Sequence, residues 1–320
     1  MHLRSPLVSA LAAGALLLPA AVSVSAPPAP LATTTVAASA ATSGSTGGAA
    51  AATRSTLGKP SARSLQMTTQ RERVKIRVNA PRGQKVHLQR LDAGRWRTVS
   101  TTTAPRSGSS ALVQLALPAK AGYRSYRVVL AKSGSNPQRI STTVKIFQSD
   151  TKKHAAYIAK ARAYMKAYCP STPIYINSPR VTRGNTIGQA WTTWRWTSDG
   201  RTERWSWNAT IELRSGLGAA ELRHTALHEC AHIVQARPIR AGQKAYDASV
   251  ARTEKAFAAG RADPQEQQAD CMATARTGST RFNYYTKSCS GSRLKNAKQL
   301  WSAYGKKYQD PRLTWTRKVA

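Results

Sequence analysis

The spacing of apolar residues changes near residue 150, and this change limits the folds that the chain can adopt. Before it, apolar side chains occupy every second position, as in RVKIRVNA (73–80) and KVHLQRL (85–91). After it, segments such as KKHAAYIAKARAYMKAY (152–168) carry apolar residues three and four apart. In that segment the helix is expected to bury Ala156, Ile158, Ala159, Ala163 and Met165. A period of two is typical of a half-buried strand, and a period of 3.6 is typical of a helix. We therefore predict a β part followed by a part that contains helices.

The β part is assigned to residues 65–149, where short strands recur at about ten-residue spacing. LDAGRW (91–96) contains a glycine between two such strands and predicts a hairpin turn. The run from VHLQR through GRW to YRVVL resembles the Ig-like modules attached to many exported bacterial proteins, which implies a β-sandwich. Because Glu72 and Asp92 are its only acids, we expect a supporting or surface-binding module rather than a catalytic one.

The first 64 residues are predicted to contain no folded domain. MHLR and the apolar LVSALAAGALLLPAAVSVSA (7–26) are typical of a secretory signal peptide, assigned to residues 1–26, with an uncleaved anchor as the alternative. Residues 27–64 are mainly Ala, Ser, Thr, Gly and Pro. Such a segment buries too little apolar surface to offset its ordering entropy, so we expect a disordered linker. The predicted location is extracellular or cell-wall associated, without stable membrane insertion after the signal is removed.

The charge of the chain indicates the chemistry of its partners. There are 49 basic and 14 acidic residues, which gives a formal net charge of +35. This excess attracts nucleic acid, anionic cell-wall polymers or acidic membrane surfaces over long distances. A compositional bias that serves solubility is the alternative. Because no helix-turn-helix or RNP-type motif is present, we do not predict specific nucleic-acid binding.

Four cysteines, Cys169, Cys230, Cys271 and Cys289, agree with export. An even number of cysteines in an exported protein predicts two disulfides, and the three connectivities stay open. Cys230 is expected to be either a buried thiol or half of a disulfide with Cys271 or Cys289.

The stretch ALHECAHIVQ (226–235) carries two histidines four residues apart, with a glutamate directly after the first. On a helix, His228 and His232 lie one turn apart on one face and can bind a single metal ion. Glu229 lies beside that face, where it can reach a metal-bound water. His224 is not expected to be a ligand, because three successive turns of one straight helix diverge. The competing interpretation is an amphipathic helix with solvated histidines.

A third ligand is predicted in DPQEQQADCMATA (263–275). Asp263 followed by Pro264 marks a helix start, and Glu266 and Asp270 share one face of that helix. H-E-x-x-H followed by E-x-x-A-D resembles the gluzincin zinc metallopeptidases. The resemblance implies that Glu266 is the third zinc ligand and that Asp270 orients His228. A metal-bound imidazole normally donates its other N–H to such a carboxylate. A solvated acidic helix face is the competing interpretation.

Two further features bear on substrate binding. AWTTWRW (190–196) and ERWSWNATIEL (203–213) flank TSDGRT (197–202) and predict a β-hairpin. The resemblance implies that an edge strand before the H-E-x-x-H helix pairs with extended substrate, and WSWNATIELRSGL (205–217) is in that place. It also implies an oxyanion-stabilising side chain, for which Tyr284 and Tyr285 are available. Ordinary aromatic packing is the alternative for both tyrosines.

These patterns together predict a multidomain fold class. It consists of an all-β Ig-like sandwich (65–149) followed by an α+β zincin-like metallopeptidase domain (150–320). The predicted function is a secreted zinc-dependent peptidase that acts on a peptide or protein substrate. His228, His232 and Glu266 would bind Zn²⁺, and Glu229 would act as general base. The alternative is a non-catalytic cell-envelope protein that binds anionic wall polymers through its basic surface and its Ig-like module.

Overall fold

The computed structural model describes residues 7–10, 55–70, 72–105, 110–258 and 262–318. Over these residues the chain forms fourteen strands in three sheets, together with six α-helices. Apart from residues 7–10, the predicted signal peptide lies outside the described residues, as does the predicted linker up to residue 54.

Strands alone make up the first half of the described chain. They are β1 (Leu7–Ala10), β2 (Thr56–Leu57), β3 (Leu65–Met67), β4 (Arg73–Asn79), β5 (Lys85–Asp92), β6 (Arg95–Thr103), β7 (Ala111–Ala116), β8 (Gly122–Leu130), β9 (Arg139–Ile140) and β10 (Val144–Ser149). Strands β2, β4 and β7 form a three-stranded sheet. A six-stranded sheet has the order β3-β10-β8-β5-β6, with β9 beside β8. Only β3 pairs in parallel among the described strands of these two sheets.

The two sheets share one apolar core, and the alternation in the sequence explains it. Val74, Ile76 and Val78 of β4 are buried, while the residues between them are exposed. The predicted hairpin turn joins β5 to β6 through Ala93 and Gly94, both with positive φ. Two successive residues of that conformation match the twist of the strands they connect, and glycine adopts it without steric cost.

The second half of the chain combines helices with a mixed sheet. Its elements are α1 (Ala155–Met165), β11 (Ile174–Ile176), α2 (Pro179–Thr182), β12 (Gly188–Ser198), β13 (Thr202–Leu213), α3 (Ala219–Ala236), α4 (Gln243–Phe257), α5 (Pro264–Thr277), α6 (Gly291–Tyr304) and β14 (Arg312–Lys318). The sheet has the order β1-β12-β13-β11. Strand β11 pairs with residues 211–213 of β13, and β14 pairs with residues 202–208 of the same strand. A second core joins one face of this sheet to the helices. Among the described helices, none combines the length and the apolar character that crossing a membrane requires.

The predicted fold class, an Ig-like all-β sandwich followed by a zincin-like α+β domain, is wrong. The described chain is a mixed α/β structure with three sheets and six helices. The third sheet takes β1 from the beginning of the chain and β14 from its end, so it is not built from one continuous hairpin region. The halves also touch, because the Ser149 hydroxyl accepts a hydrogen bond from the Ile176 amide. Alternation predicts strands, but it does not determine which strands pair.

The apolar face predicted for α1 is wrong in part. Of the residues expected inside, Met165 is buried, but Ala156, Ala159 and Ala163 are exposed. The helix instead turns Ala161 and its partly buried tyrosines toward the core. Tyrosine buries far more area than alanine, so it decides which face packs.

Both disulfides link elements of the second half. Cys169, after α1, pairs with Cys230 in α3, and Cys271 in α5 pairs with Cys289. The two disulfides agree with the prediction. The partners expected for Cys230, however, were wrong, because Cys271 and Cys289 bond to each other.

Candidate metal centre

Helix α3 is buried on nearly every side. It lies between the mixed sheet and helices α1, α5 and α6, and it ends where Pro238 interrupts the α-helical hydrogen bonding. His228 and His232 are 0% and 6% exposed. Solvated histidines on an amphipathic helix are therefore ruled out, and these two imidazoles need partners inside the protein.

Helix α5 brings two carboxylates against the histidines. Its first residue is Pro264, and the Asp263 side chain accepts a hydrogen bond from the Gln265 amide at 2.7 Å, as the sequence predicts for a helix start. Glu266 and Asp270 follow on the buried side of the helix. A solvated acidic face is thus excluded as well.

Three ligand atoms converge between the helices. His228 Nε2 and His232 Nε2 lie 3.0 Å apart, and each lies 3.2 Å from Glu266 Oε2. Four-coordinate zinc, with bonds of about 2.0–2.2 Å to nitrogen and oxygen, sets its ligands roughly 3.3–3.5 Å apart. The spacing of the three atoms is close to that requirement.

The remaining ring nitrogens define the tautomers. His228 Nδ1 lies 3.0 Å from Asp270 Oδ1, and His232 Nδ1 lies 2.8 Å from Gln235 Oε1. Both partners are acceptors, so each Nδ1 carries the proton and each Nε2 presents a lone pair. When both imidazoles are neutral, two lone pairs and a carboxylate oxygen face one another without a hydrogen between them, and in the absence of a metal ion a proton on His228 relieves this repulsion, in line with the raised pKa of that ring. A cation placed among them removes this repulsion, so the residues present fit a bound metal ion.

The electrostatic field of the site favours positive charge. Burial alone would lower the pKa of His228, but the bonds to Asp270 and Glu266 outweigh it and raise the pKa to about 10. Burial alone would raise the pKa of Glu266, yet both histidines hold that pKa well below its usual range. Two imidazoles and one carboxylate are ligands that zinc accepts, and three protein ligands with one open position are typical of a catalytic zinc site.

Asp270 is held in place by a loop after α5. Its Oδ2 accepts hydrogen bonds from the amides of Tyr285 at 2.7 Å and Thr286 at 3.0 Å. Burial works to raise the pKa of Asp270, but nearby His224, the His228 bond and the Tyr285 amide lower it overall. Asp270 is therefore an ionised acceptor that fixes the orientation of the His228 ring.

Glu229 is a buried carboxylate beside the three ligands. It is 1% exposed, and neither oxygen has a hydrogen-bond partner within the described part of the chain. Burial raises the pKa of Glu229 to about 7. A carboxyl group with that pKa can take up and release a proton near neutrality, as a general base and acid must.

Gly188, the first residue of β12, makes room for Glu229. A Cβ atom at position 188 would lie 2.5 Å from Glu229 Oε1 and 2.7 Å from Thr225 Cγ2. Real Cβ atoms essentially never come within 3.0 Å of such atoms. Only glycine therefore lets the sheet approach the carboxylate this closely.

His224, as predicted, is not a member of the ligand cluster, and the two candidate tyrosines lie near the site. His224 is buried, with Nε2 3.9 Å from Asp270 Oδ1, and it does not reach the three-atom cluster. The Tyr284 hydroxyl bonds to Glu221 Oε1 at 3.2 Å, so it is directed toward the first turn of α3. The Tyr285 ring stacks near His228, with centroids 6.0 Å apart.

The prediction that residues 205–217 form the substrate-binding edge strand is wrong. β13 pairs with β12 on one side and with β11 and β14 on the other, so it is interior. The neighbouring strand β12 is the one whose outer side accepts a short strand, β1. The two strands of the hairpin differ in their outer neighbours. β12, the first strand, pairs there only with the short strand β1, whereas β13, the second strand, pairs there with both β11 and β14.

Two contributors were missed by sequence reasoning. Gln235 fixes His232, and its amide nitrogen bonds to Gln265 O and Gln268 Oε1. Its place three residues after His232 is a signal that helical spacing offers. Gly188 has no such signal, because its role depends on the approach of a helix distant in sequence.

Comparison with known proteins adds little to this geometry. No protein-family model and no curated protein matches the chain. Among solved structures, the chain is similar to a β-1,2-glucanase from Parabacteroides distasonis, with 13% sequence identity and a TM-score of 0.21. The match covers 82% of this chain and 37% of the glucanase. So weak a likeness carries no argument about fold or activity.

Proposed function

We propose that this protein is an exported zinc-dependent peptidase. The observation that carries the proposal is the convergence of His228, His232 and Glu266 on one point, beside the unpartnered buried carboxylate of Glu229. This set has the residue types and the spacing of the gluzincin motif. The two disulfides are compatible with an extracellular location, and export is part of the proposal.

The chemistry follows from the groups around that point. A zinc ion held there would supply an activated water and would polarise the carbonyl of a peptide bond. Glu229 would accept the proton of the attacking water and then deliver it to the leaving amine. The carboxylate lies beside the three ligands and its oxygens have no hydrogen-bond partner within the described part of the chain, so they are available for both transfers.

The residues that bond to the two histidines would hold the imidazole rings in the orientation that metal binding requires. Asp270 and Gln235 hold the two Nδ1–H groups, so neither imidazole can rotate without losing a buried hydrogen bond. The amides of Tyr285 and Thr286 in turn hold Asp270. Positioning of this kind is typical of metal sites and improves metal affinity about 10- to 100-fold.

The outer side of β12 would bind the substrate backbone. Residues 189–192 of β12 pair antiparallel with β1, which demonstrates that this edge accepts an extended segment. The pairing lies next to Gly188, which contacts Glu229. A peptide added in the same manner would run past the catalytic carboxylate, as in other cases of strand addition.

Zinc content and casein cleavage test the proposal together. Wild-type protein should contain about one zinc per chain and lose cleavage on chelation. Glu229→Gln should keep its zinc and lose about 10²- to 10⁴-fold in rate. Glu254→Gln makes the same change at an exposed position of α4 and should have no effect. Glu266→Ala should lower the zinc content.

The alternative function makes different predictions for the same measurements. A non-catalytic envelope protein would show no chelator-sensitive cleavage. Wild-type rates in Glu229→Gln would refute the mechanism, and unchanged zinc stoichiometry in Glu266→Ala would remove that residue from the ligand set.

A further inference from the structure

The mixed sheet has a second face, directed away from α3, and part of it is exposed. Gly188 contacts α3, so side chains at odd positions of β12 lie on the opposite side. Nine positions in three cross-strand rows form this surface, which we call the arginine face. The rows are Thr193–Asn208–Arg312, Arg195–Ser206–Thr314 and Thr197–Arg204–Thr316.

The composition of the arginine face is unusual for an exposed sheet. Each row contains one arginine, and the three arginines lie on three different strands. Every other position is Thr, Ser or Asn, and none of the nine is acidic or apolar. Strand preference explains the threonines. It does not explain one cation per row, at a row spacing of roughly 6.6–6.8 Å along the strands.

Acidic residues at the margins of this face bond to backbone amides, although the Asp199 carboxylate also interacts electrostatically with Arg204. Asp199 accepts hydrogen bonds from the amides of Arg201 and Thr202 in the hairpin turn. Asp310 accepts from the amide of Arg312. Both carboxylates are thus partly satisfied by backbone groups, and the guanidinium groups give the face a positive potential.

The same side of the sheet leads to a cavity of about 340 Å³ between the two halves of the chain. Arg180 connects the two regions, because its guanidinium stacks on Trp191 at 4.2 Å and also bonds to Glu212 in the cavity wall. Glu212 is fully buried and also accepts from the Ser178 hydroxyl. Two exposed cationic side chains and an exposed aromatic ring also line the cavity: Arg183 after α2, and Lys145 and Tyr123 in the β part. The remaining lining residues are Ser64, Leu65, Phe147, Ser178 and Pro179.

This lining suits a ligand with hydroxyl and anionic groups. The exposed Ser64 hydroxyl of the lining can accept from ligand hydroxyls, and guanidinium groups bind phosphate through paired hydrogen bonds. Tyr123 is 43% exposed and offers an apolar ring face. The volume lies within the range of about 300–1,000 Å³ for ligand pockets.

We propose that the arginine face and this cavity form one binding track for a linear, hydroxyl-bearing phosphodiester polymer of the cell-wall type. The polymer would lie across the rows, with phosphates on Arg195, Arg204 and Arg312, and one repeat unit would enter the cavity. The track is separated from the metal centre by the thickness of the sheet. Binding there leaves the metal centre accessible, and it does not depend on peptidase activity.

Nucleic acid fits this surface less well. Single-stranded nucleic acid binds to grooves in which aromatic rings stack on the bases. Here the indoles of Trp205 and Trp207 are on the helix side of the sheet, in the core. Trp191 is on the track side, but the Arg180 guanidinium covers its ring.

Binding of poly(glycerol phosphate) to the full-length protein tests the track. The variant Arg195→Gln/Arg204→Gln/Arg312→Gln should bind at least tenfold more weakly than wild type. Its affinity should also depend less on salt, with the logarithmic slope reduced by roughly 2–3, since each phosphate contact contributes about 0.7–0.9. The peptidase rate, if present, should not change.

A matched control removes the same charge elsewhere. Arg73→Gln/Arg77→Gln/Arg97→Gln changes three exposed arginines of the β part. This control should bind within about twofold of wild type. Equal losses in both triple variants would mean that the polymer responds only to net charge, and would overturn the proposal. Equally tight binding of single-stranded DNA with the same number of phosphates would overturn the assigned polymer.

A variant without charge change tests the cavity. Tyr123→Ala removes the exposed ring and should weaken polymer binding several-fold at all salt concentrations. Unchanged affinity in this variant would exclude the cavity from the track.

Discussion

Gly188→Ala provides a direct test of the contact between the sheet and the Glu229 carboxylate, the proposed general base. The new Cβ would lie 2.5 Å from Glu229 Oε1 and 2.7 Å from Thr225 Cγ2. Ordinary contacts begin at 3.4 Å, so the two atoms must move by about 0.9 and 0.7 Å. The change does not involve backbone strain, since Gly188 has an ordinary φ for an L-residue.

The size of this displacement sets the expected losses of stability and of reaction rate. Overpacking of a close-packed interior costs about 1–3 kcal/mol, which lowers Tm by roughly 2–4 °C per kcal/mol in a chain of this size. A shift of about 1 Å in a catalytic group reduces the rate by about 10²-fold. None of the three nearest atoms that the new Cβ meets belongs to His228, His232 or Glu266, so zinc affinity should change less than the rate.

Thermal unfolding, zinc titration and casein cleavage measure these effects separately. Gly218→Ala, for which a Cβ meets nothing within 4 Å, is the matched control. Adding Thr225→Ser to Gly188→Ala removes one of the two contacts, so Tm should recover in part while the rate stays low. Wild-type Tm and rate in Gly188→Ala would refute the argument that Glu229 lies against the β12 backbone.

Three further predictions concern the support of the ligands and the stability of the fold. Asp270→Asn replaces an acceptor with a group that also donates, and Gln235→Met removes the acceptor of His232. Each should weaken zinc binding about 10- to 100-fold by chelator competition. Cys271→Ala/Cys289→Ala opens a loop of sequence separation 18, which should cost about 3 kcal/mol of unfolding free energy. It should also weaken zinc binding, because the loop carries the amides that hold Asp270. Arg237→Met should lower stability by about 3–5 kcal/mol, because it leaves the carbonyls of Tyr168, Tyr304 and Gly305 without their donor.

These predictions fail on distinct outcomes. Full zinc affinity in Asp270→Asn or Gln235→Met would show that the imidazoles are oriented by other groups. An undiminished affinity in the cysteine variant, with reduced stability, would separate the disulfide from the site. A neutral effect of Arg237→Met would mean that the three carbonyls find water instead.

Local periodicity accounts for much of what could be predicted. Helix α5 begins at Pro264 after the Asp263 cap, as the sequence predicts. The helical spacing of His228 and His232, and of Glu266 and Asp270, needs only 3.6 residues per turn. Spacing also predicts β4, because its alternating residues must separate core from solvent.

Pairing between distant segments could not be predicted in this way. The fold class was wrong because the mixed sheet joins strands from both ends of the chain. The partner of Cys230 was wrong because disulfide formation depends on the distance between side chains in the folded protein, not on their order.

The sequence by itself determined which residue types stand at helical spacing, and hence a pair of histidines and a pair of carboxylates on two helices. Only the tertiary structure decided that the two pairs meet, with ligand atoms 3.0–3.2 Å apart. It also decided that Gln235 holds one imidazole, that Gly188 admits Glu229, and that β12, not β13, pairs with β1 on its outer side. Local structure depends on hydrogen bonds a few residues apart. Contacts across the fold instead depend on how whole elements pack, and the sequence of one element does not specify which other elements it will contact.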